Sequence, residues 1–112
     1  MKRIYSLKKH SAFGFVYHKG KGVSCKEFRL LFVRQGNLKI GFSVSKKLGN
    51  AVTRNHAKRY LREAVRPYIP RLKCGYYVFI AKEPINTCPF SDVQNSMLYA
   101  LRKQNLLKED KP

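Results

Sequence analysis

The sequence is poor in acidic side chains, and that shortage argues against one class of protein. Its 112 residues contain 6 Asp and Glu against 24 Lys and Arg, which gives a formal net charge of +18 at pH 7. A metal-dependent nuclease needs clustered carboxylates to hold its ions, and six scattered acids supply no such cluster. His10, His18 and His56 have no evident Cys or Ser partner, so the sequence predicts no catalytic residue and no metal site.

Cysteines and apolar runs are equally scarce. Cys25, Cys74 and Cys88 are odd in number, far apart and form no C-x-x-C pair, which argues against a zinc site, a redox motif or a disulfide framework. No apolar run approaches the roughly 20 residues of a membrane-spanning helix. Residues 1–9 lack the apolar core of a secretory signal. We therefore expect a cytoplasmic protein with three reduced, partly buried thiols and no membrane partner.

Length and composition predict a single domain. With 44% hydrophobic and 12% aromatic residues, a chain of 112 residues can bury roughly two-thirds of its unfolded surface in one core. Low-complexity linkers and internal repeats are missing from the sequence. We expect one domain over residues 1–112, with flexible ends at about 1–5 and 108–112.

The positive charge is concentrated in the first half of the chain. Residues 1–62 contain 16 Lys and Arg and a single acid, Glu27, whereas residues 63–112 contain 8 basic and 5 acidic residues. Uncompensated like charges destabilise a compact state unless a polyanion binds. Nucleic acid is the first expectation for that polyanion, and an anionic membrane surface is a distant second.

Seven secondary-structure elements follow from hydrophobic periodicity and from residues that start or stop helices. They are a helix over 11–19, strands over 22–25, 27–34 and 39–45, a helix over 52–66, a strand over 76–81 and a helix over 91–107. Ser11 is the expected cap of the first helix, and Ser91 with Gln94 matches an S-x-x-Q capping box for the last. The apolar run 76–81 suits a central strand covered on both faces. The order α-β-β-β-α-β-α predicts an α+β fold.

The helix over 52–66 has an apolar side and a basic side. At about 100° per residue, Ala57, Leu61 and Ala64 fall together on the apolar side. The basic side presents Arg54, Asn55, Lys58, Arg59, Arg62 and Arg66. Glu63 is the only acid of the helix, so most of the cations lack intrahelical partners and oppose the helix unless an anion binds.

The chemistry of this basic side suits RNA. The guanidinium of arginine contacts phosphate in a bidentate fashion, and Asn55 could read a base edge or a 2′-hydroxyl. Lys46 and Lys47, in the preceding loop, extend the basic surface toward a strand end. In the first helix, the i, i+4 spacing of Phe13 and Tyr17 is more often that of core residues, although it also suits aromatic residues that stack with unpaired bases.

The residues 43–66, SVSKKLGNAVTRNHAKRYLREAVR, resemble the RNR signature of bacterial ribonuclease P protein subunits. The matching positions are Lys46-Lys47, Gly49-Asn50-Ala51-Val52, Arg54-Asn55, Lys58-Arg59 and Arg62-Glu63. Leu7-Lys8-Lys9, followed by Phe13, Val16, Tyr17 and Gly20, resembles the first helix of that family, and 75–82 resembles its last strand. The similarity covers nearly the whole chain.

The resemblance implies a four-stranded sheet with a left-handed β-α-β crossover, an exception to the usual right-handed rule. It also implies an accessory subunit of an endoribonuclease, with no cofactor in the protein and Mg²⁺ in the RNA-containing holoenzyme. The implied partners are the catalytic ribonuclease P RNA and precursor tRNA. The RNA would dock on Lys46, Lys47, Arg54, Asn55, Lys58, Arg59 and Arg62, and the 5′ leader would lie in a cleft lined by Phe13, Tyr17, Lys46 and Lys82.

Two other functions stay open on the residues alone. A structural RNA-binding protein, such as a small ribosomal protein, would carry the same basic helix without a leader cleft, and net charge does not separate the two. A self-sufficient metal nuclease would cleave RNA without an RNA subunit, and the shortage of carboxylates argues against it.

Overall fold

The computed structural model describes residues 5–108, in which helices cover both faces of a four-stranded sheet. The elements are α1 (His10–Lys19), β1 (Lys21–Ser24), β2 (Phe28–Val33), β3 (Leu38–Ser43), α2 (Ala51–Val65), β4 (Gly75–Ala81) and α3 (Phe90–Lys103). Short 3₁₀ helices span Lys46–Leu48, Arg66–Arg71 and Glu83–Asn86. The predicted α+β class and element order are confirmed. The flexible ends predicted at 1–5 and 108–112 lie outside the described residues, apart from positions 5 and 108.

The sheet has the strand order β1-β2-β4-β3. β2 pairs with β1 and β4 in antiparallel fashion, and β3 pairs with β4 in parallel. The turn at 35–37 therefore closes no hairpin, because β4 lies between the two strands that it joins. β4 is central, as its continuous apolar run predicts. The left-handed sense of the crossover from β3 through α2 to β4 stays a prediction.

Side chains alternate between the two faces of the sheet, as the strand period of two requires. One face packs against α2 and α3 and forms the main core around Phe28, Ile40, Tyr77 and Phe79. α2 contributes the apolar residues expected from the sequence, Ala57, Leu61 and Ala64, and α3 contributes Val93, Met97, Ala100 and Leu101. The other face, called here the α1 face, is only partly covered, by Leu7 and by Val16 of α1 packed on Leu31 and Val78.

Both predicted serine caps are wrong. α1 begins at His10 with Lys9 as its N-cap and no side-chain cap, because the amides of Ala12 and Phe13 already donate to the Lys9 carbonyl at 3.0 and 3.2 Å. Ser11 therefore lies inside the first turn. α3 begins at Phe90 after Pro89, whose fixed φ suits a helix start. Its N-terminus has no side-chain cap, so the S-x-x-Q pattern does not form a capping box.

α3 also ends earlier than predicted, at Lys103 instead of 107. Asn105 adopts a positive φ of 56° and turns the chain out of the helix. The Leu106 carbonyl then accepts a hydrogen bond from the Lys73 amide at 2.8 Å, and Leu107 forms a β-bridge with Leu72. The apolar pair at 106–107 thus packs through a return segment, which helical periodicity does not reveal.

Candidate nucleic-acid interface

The chain before α2 is shaped to present cations at the start of the helix. The side-chain Oδ1 of Asn50 caps α2 by accepting from the Thr53 amide at 3.0 Å, and Ser45 Oγ accepts from the Lys47 amide at 3.1 Å. Gly49 has φ +135° and ψ −160°, a conformation almost restricted to glycine. Lys46 and Lys47 are exposed in this turn, where the partial positive charge of the helix N-terminus adds to their own.

The predicted basic row runs along α2. Arg54, Lys58 and Arg62 are half-buried along one flank of the helix, whereas Asn55 and Arg59 are exposed on its outer side. Arg54 Nε donates to the Gly49 carbonyl at 3.3 Å, which turns its guanidinium toward the start of the helix. The Arg62 guanidinium lies 5.8 Å from the centre of the Phe42 ring on β3, within cation–π range.

Carboxylates do not neutralise this row. Within residues 5–108, the salt bridge found is between Arg66 and Glu63, at 3.4 Å on the exposed surface. Arg66, which the sequence places on the basic side, is therefore partly neutralised. The guanidinium and ammonium groups of Arg54, Lys58, Arg59 and Arg62 have no carboxylate of the described chain within ion-pair distance. A row of like charges in this state favours an external polyanion.

His56 lies on the opposite flank of α2 and packs with aromatic rings. Its ring centre is 4.2 Å from that of Tyr60, and Tyr60 is 5.2 Å from Phe90. The hydrogen bonds described for residues 5–108 give His56 no Ser, Cys or carboxylate partner that would orient it as a base. An aromatic packing role accounts for its position.

A second surface lies where α1 crosses the sheet. Phe13 is half-buried with its ring against Gly41, so closely that a Cβ at position 41 would lie 2.5 Å from Phe13 Cζ. Tyr17 is 47% exposed, and its hydroxyl donates to Ser43 Oγ at 2.9 Å. The two rings are 6.3 Å apart with planes at 47°. Tyr17 therefore offers the more accessible ring face.

Beyond α1, the open part of the α1 face forms a floor across three strands. Ser43 of β3 is in register with Ile80 of β4, and Ile80 is in register with Arg29 of β2. Arg29 is exposed, and its guanidinium lies over Gly22. The name aromatic cleft is used here for the site formed by Phe13, Tyr17, Arg29, Ser43, Ile80 and Lys82.

Three residues of the aromatic cleft were not predicted from the sequence: Arg29, Ser43 and Ile80. A signal was present for the first two. Strand alternation assigns Arg29 to the face of Leu31, and it assigns Ser43 to the face of Gly41. The sequence does not show where α1 crosses the sheet, and that position leaves Arg29, Ser43 and Ile80 uncovered.

Lys46 and Lys82 lie at the same edge of the sheet, because β3 and β4 are parallel and both residues follow the carboxyl ends of these strands. Lys46 is exposed, whereas Lys82 reaches back across the sheet. Lys82 Nζ donates to the Cys25 carbonyl at 2.6 Å and to Ser24 Oγ. An ammonium has three donors, so the third N–H of Lys82 remains for an anion at the end of the cleft.

The remaining polar groups form structural contacts. Glu27 is 3% exposed and its carboxylate accepts from Ser96 Oγ at 2.6 Å, which ties the turn between β1 and β2 to α3. Burial, followed by the Glu27 charge, raises the pKa of the Cys25 thiol, and burial raises that of Cys88. All three cysteines are free, with Cys74 exposed instead of partly buried. Residues 5–108 contain no cluster of three His, Cys, Asp or Glu able to hold a metal ion.

None of the helices between residues 5 and 108 is long and apolar enough to cross a membrane.

Comparison with known proteins identifies the family. The chain matches the family model Ribonuclease P over residues 1–105. It is 36% identical over 105 residues to the ribonuclease P protein component of Exiguobacterium sp., which covers 92% of each chain. It is also 36% identical over 112 residues to that of Bacillus velezensis, which covers 97% of each.

Solved structures give the same relationship. The ribonuclease P protein of Staphylococcus aureus aligns with a TM-score of 0.84 at 31% identity, over 93% of this chain and 98% of that one. The ribonuclease P protein of Thermotoga maritima aligns with a TM-score of 0.74 at 26% identity, over 84% and 92%. Sequence and fold agree along nearly the whole chain, so this protein belongs to the ribonuclease P protein family.

Proposed function

We propose that this chain is the protein subunit of ribonuclease P. It binds the catalytic RNA and the 5′ leader of precursor tRNA, and so promotes endonucleolytic removal of the leader to give the mature 5′ end. The observation that supports this most is that the carboxylate-free basic row of α2 continues, through Lys46, to the strand edge where the aromatic cleft opens. Two distinct RNA-binding surfaces on one small domain suit a protein that binds an enzyme RNA and its substrate together.

The basic side of α2 is proposed to dock on the folded catalytic RNA. Arg54, Lys58 and Arg62 lie along one flank of the helix, so their charged groups can follow successive phosphates of a backbone. Arg59 is exposed on the outer side for bidentate contact. Asn55 beside it carries an amide that can hydrogen-bond to a base edge or a 2′-hydroxyl.

The aromatic cleft is proposed to hold the leader as a single strand. Stacking of bases on Tyr17 and Phe13 contributes about 1–3 kcal/mol per base and accepts any sequence, which suits an enzyme that processes many different tRNAs. Arg29 lies on the same face of the sheet, Lys46 and Lys82 follow the ends of β3 and β4, and the three would provide the positive charge that leader phosphates require. The hydrogen bond from Tyr17 to Ser43 holds α1 at a fixed height above the floor.

The chemistry itself is assigned to the RNA subunit with bound Mg²⁺, and no residue of the protein is proposed to be catalytic. The protein would contribute by positioning the substrate and by adding positive charge near two RNA strands, which lowers the Mg²⁺ needed to bring them together. Such a particle works on tRNA precursors, so the cytoplasm is the proposed location.

Reconstitution tests this function. Catalytic RNA of a related bacterium, mixed with the purified protein, is expected to cleave leader-bearing precursor tRNA at low Mg²⁺, where the RNA alone is slow. A structural RNA-binding protein would leave the rate unchanged, and that result would reject the proposal. Cleavage by the protein and Mg²⁺ without the RNA would instead identify a self-sufficient nuclease.

A further inference from the structure

The α1 face carries a second groove that the proposed function does not use. α1 crosses above the row Gly41–Val78–Leu31, so it leaves sheet surface open on both of its sides. The aromatic cleft lies on the side of Ser43. On the other side, Tyr76 of β4 lies in register between Lys39 of β3 and Val33 of β2.

The part of this groove beside the first turn of α1 is a cavity of about 420 Å³, within the range of volumes that hold small ligands. Its lining residues are Ser6, Leu7, Lys8, Lys9, Ala12, Lys39 and Tyr76. Three of these are lysines and none is acidic. The first turn of α1 contains no acidic residue and no side-chain cap, so the positive end of this ten-residue helix adds to the lysine charge.

An aromatic wall accompanies the charge. Phe15 of α1 is 38% exposed and meets the Tyr76 ring edge-on at 6.4 Å. At the far end of the row, at the edge of the sheet, a separate cavity of about 280 Å³ is lined by Val33 of the α1 face together with Phe32 of the opposite face, and by Lys19, Lys21, Arg34 and Gln104. We call the cavity of about 420 Å³, with Phe15 and Tyr76, the second groove. Its combination of lysines and accessible rings is the pattern of surfaces that bind single-stranded nucleic acid.

We infer that the second groove binds phosphates and bases of leader nucleotides upstream of those held in the aromatic cleft, an inference that rests on the proposed function. The two sites lie on one face of the sheet and are four residues apart along β3, from Ser43 to Lys39. That separation is about 13 Å at the rise of a strand, or about four nucleotides of a stacked single strand. A leader that passes the first turn of α1 therefore reaches Lys8, Lys9 and Lys39.

The test is the dependence of precursor affinity on leader length, measured with the reconstituted holoenzyme. The variant carries Lys8→Gln, Lys9→Gln and Lys39→Gln. The matched control carries Arg102→Gln, Lys103→Gln and Lys108→Gln, which removes the same charge from exposed residues at the end of α3 and beyond it. Circular dichroism checks that both triple variants are folded, and single Lys8→Gln and Lys9→Gln variants repeat the measurement with less change in charge.

Wild type and control are expected to gain affinity stepwise when the leader becomes about four nucleotides longer than the aromatic cleft accommodates. The groove variant is expected to lose that gain and to keep wild-type affinity for shorter leaders. When the salt concentration rises from 50 to 200 mM, the gain in affinity is expected to fall about threefold for each phosphate contact. For single strands, the slope of log affinity against log salt is about −0.7 per contact.

Three other outcomes would overturn the inference. Equal gains in the groove variant and wild type would show that the groove does not contact the leader, and no gain in any protein would show that the upstream nucleotides are unbound. Weaker binding of the groove variant to catalytic RNA alone, with the leader gain intact, would assign the groove to that RNA. If even short leaders add no affinity in the wild type, the proposed function itself fails, and this inference fails with it.

Discussion

Phe13 and Tyr17 lie four residues apart on α1, but their surroundings separate their roles. The Phe13 ring fills the space above Gly41, so truncating it would also disturb the packing of α1 on the sheet. Tyr17 is nearly half exposed and contacts the sheet through its hydroxyl. The spacing alone favoured a core role for both residues, and only the family resemblance favoured leader binding, because an i, i+4 pair of aromatic residues occurs in either role.

Tyr17 consequently gives the sharper test of leader binding. Tyr17→Ala removes the exposed ring and is expected to weaken holoenzyme binding of precursor tRNA by about 5- to 150-fold, the equivalent of one lost stack. Tyr17→Phe keeps the ring and loses only the bond to Ser43, so most of the affinity should remain. Equilibrium binding of leader-bearing and mature tRNA measures both effects, and an equal loss on mature tRNA would contradict the assignment.

At the scale of elements, the sequence predicted α2 well because its apolar residues keep the helical period throughout. The helical wheel placed Ala57, Leu61 and Ala64 inward, and all three are buried. Asn50, which was not predicted as a cap, directly precedes the helix and caps it. The bounds of α1 were predicted to within one residue, but neither α1 nor α3 begins at its predicted serine cap. The end of α3 was predicted four residues too late, because tertiary contacts of the segment at 106–107 determine it.

The cleft was predictable only in part for the same reason. Periodicity assigns each strand residue to a face, but it does not state which part of that face a helix covers. The crossing point of α1 over Gly41 depends on the absence of a side chain there, together with contacts between residues far apart in the chain. Arg29 became part of the site only once that crossing point was known.

The turn before α2 predicts a stability effect. Gly49 has φ +135°, and a Cβ there would lie 3.1 Å from Thr53. Gly49→Ala is therefore expected to lower the free energy of unfolding by about 1–3 kcal/mol. Urea denaturation measures this loss, and Gly36→Ala, which meets open space and has no positive φ, serves as the control. Equal stability of the two variants would show that the turn tolerates a side chain.

α2 also predicts a salt effect. Arg54→Gln is expected to weaken binding to the catalytic RNA and to reduce the slope of log affinity against log salt by about 0.7–0.9, as loss of one phosphate contact requires. Arg66→Gln removes the same charge from a residue already paired with Glu63, so its effect should be smaller. Filter binding over a salt series compares the two variants. A larger effect of Arg66→Gln would contradict the assignment of Arg54 to the interface.

For the whole molecule, a net charge of +18 makes stability depend on bound anions. An anion that binds the folded chain but not the unfolded one adds about 2.7 kcal/mol at one hundred times its dissociation constant. Sulfate is therefore expected to raise the midpoint of thermal unfolding, followed by circular dichroism, more than chloride does at equal ionic strength. Identical midpoints in the two salts would show that specific anion sites are not needed for folding.

The two faces of the sheet allow two surfaces to coexist on a small domain. The basic row of α2 lies on the side of the sheet that α2 and α3 cover, and the aromatic cleft lies on the α1 face. Under the proposed function, one surface would contact the catalytic RNA and the other the leader, so we expect that each can be altered without the other.

Precursor cleavage by the reconstituted holoenzyme, measured against protein concentration at low Mg²⁺, tests this separation most directly. The docking variant Arg54→Gln/Lys58→Gln/Arg62→Gln should reach the wild-type kcat/KM once enough protein is added, because only its binding to the catalytic RNA is weakened. With Tyr17→Ala, cleavage should saturate at the same protein concentration as for the wild type, but kcat/KM should stay reduced at saturation. If kcat/KM returned to the wild-type value for both variants at high protein concentration, or for neither, the account of two separate RNA-binding surfaces would be contradicted.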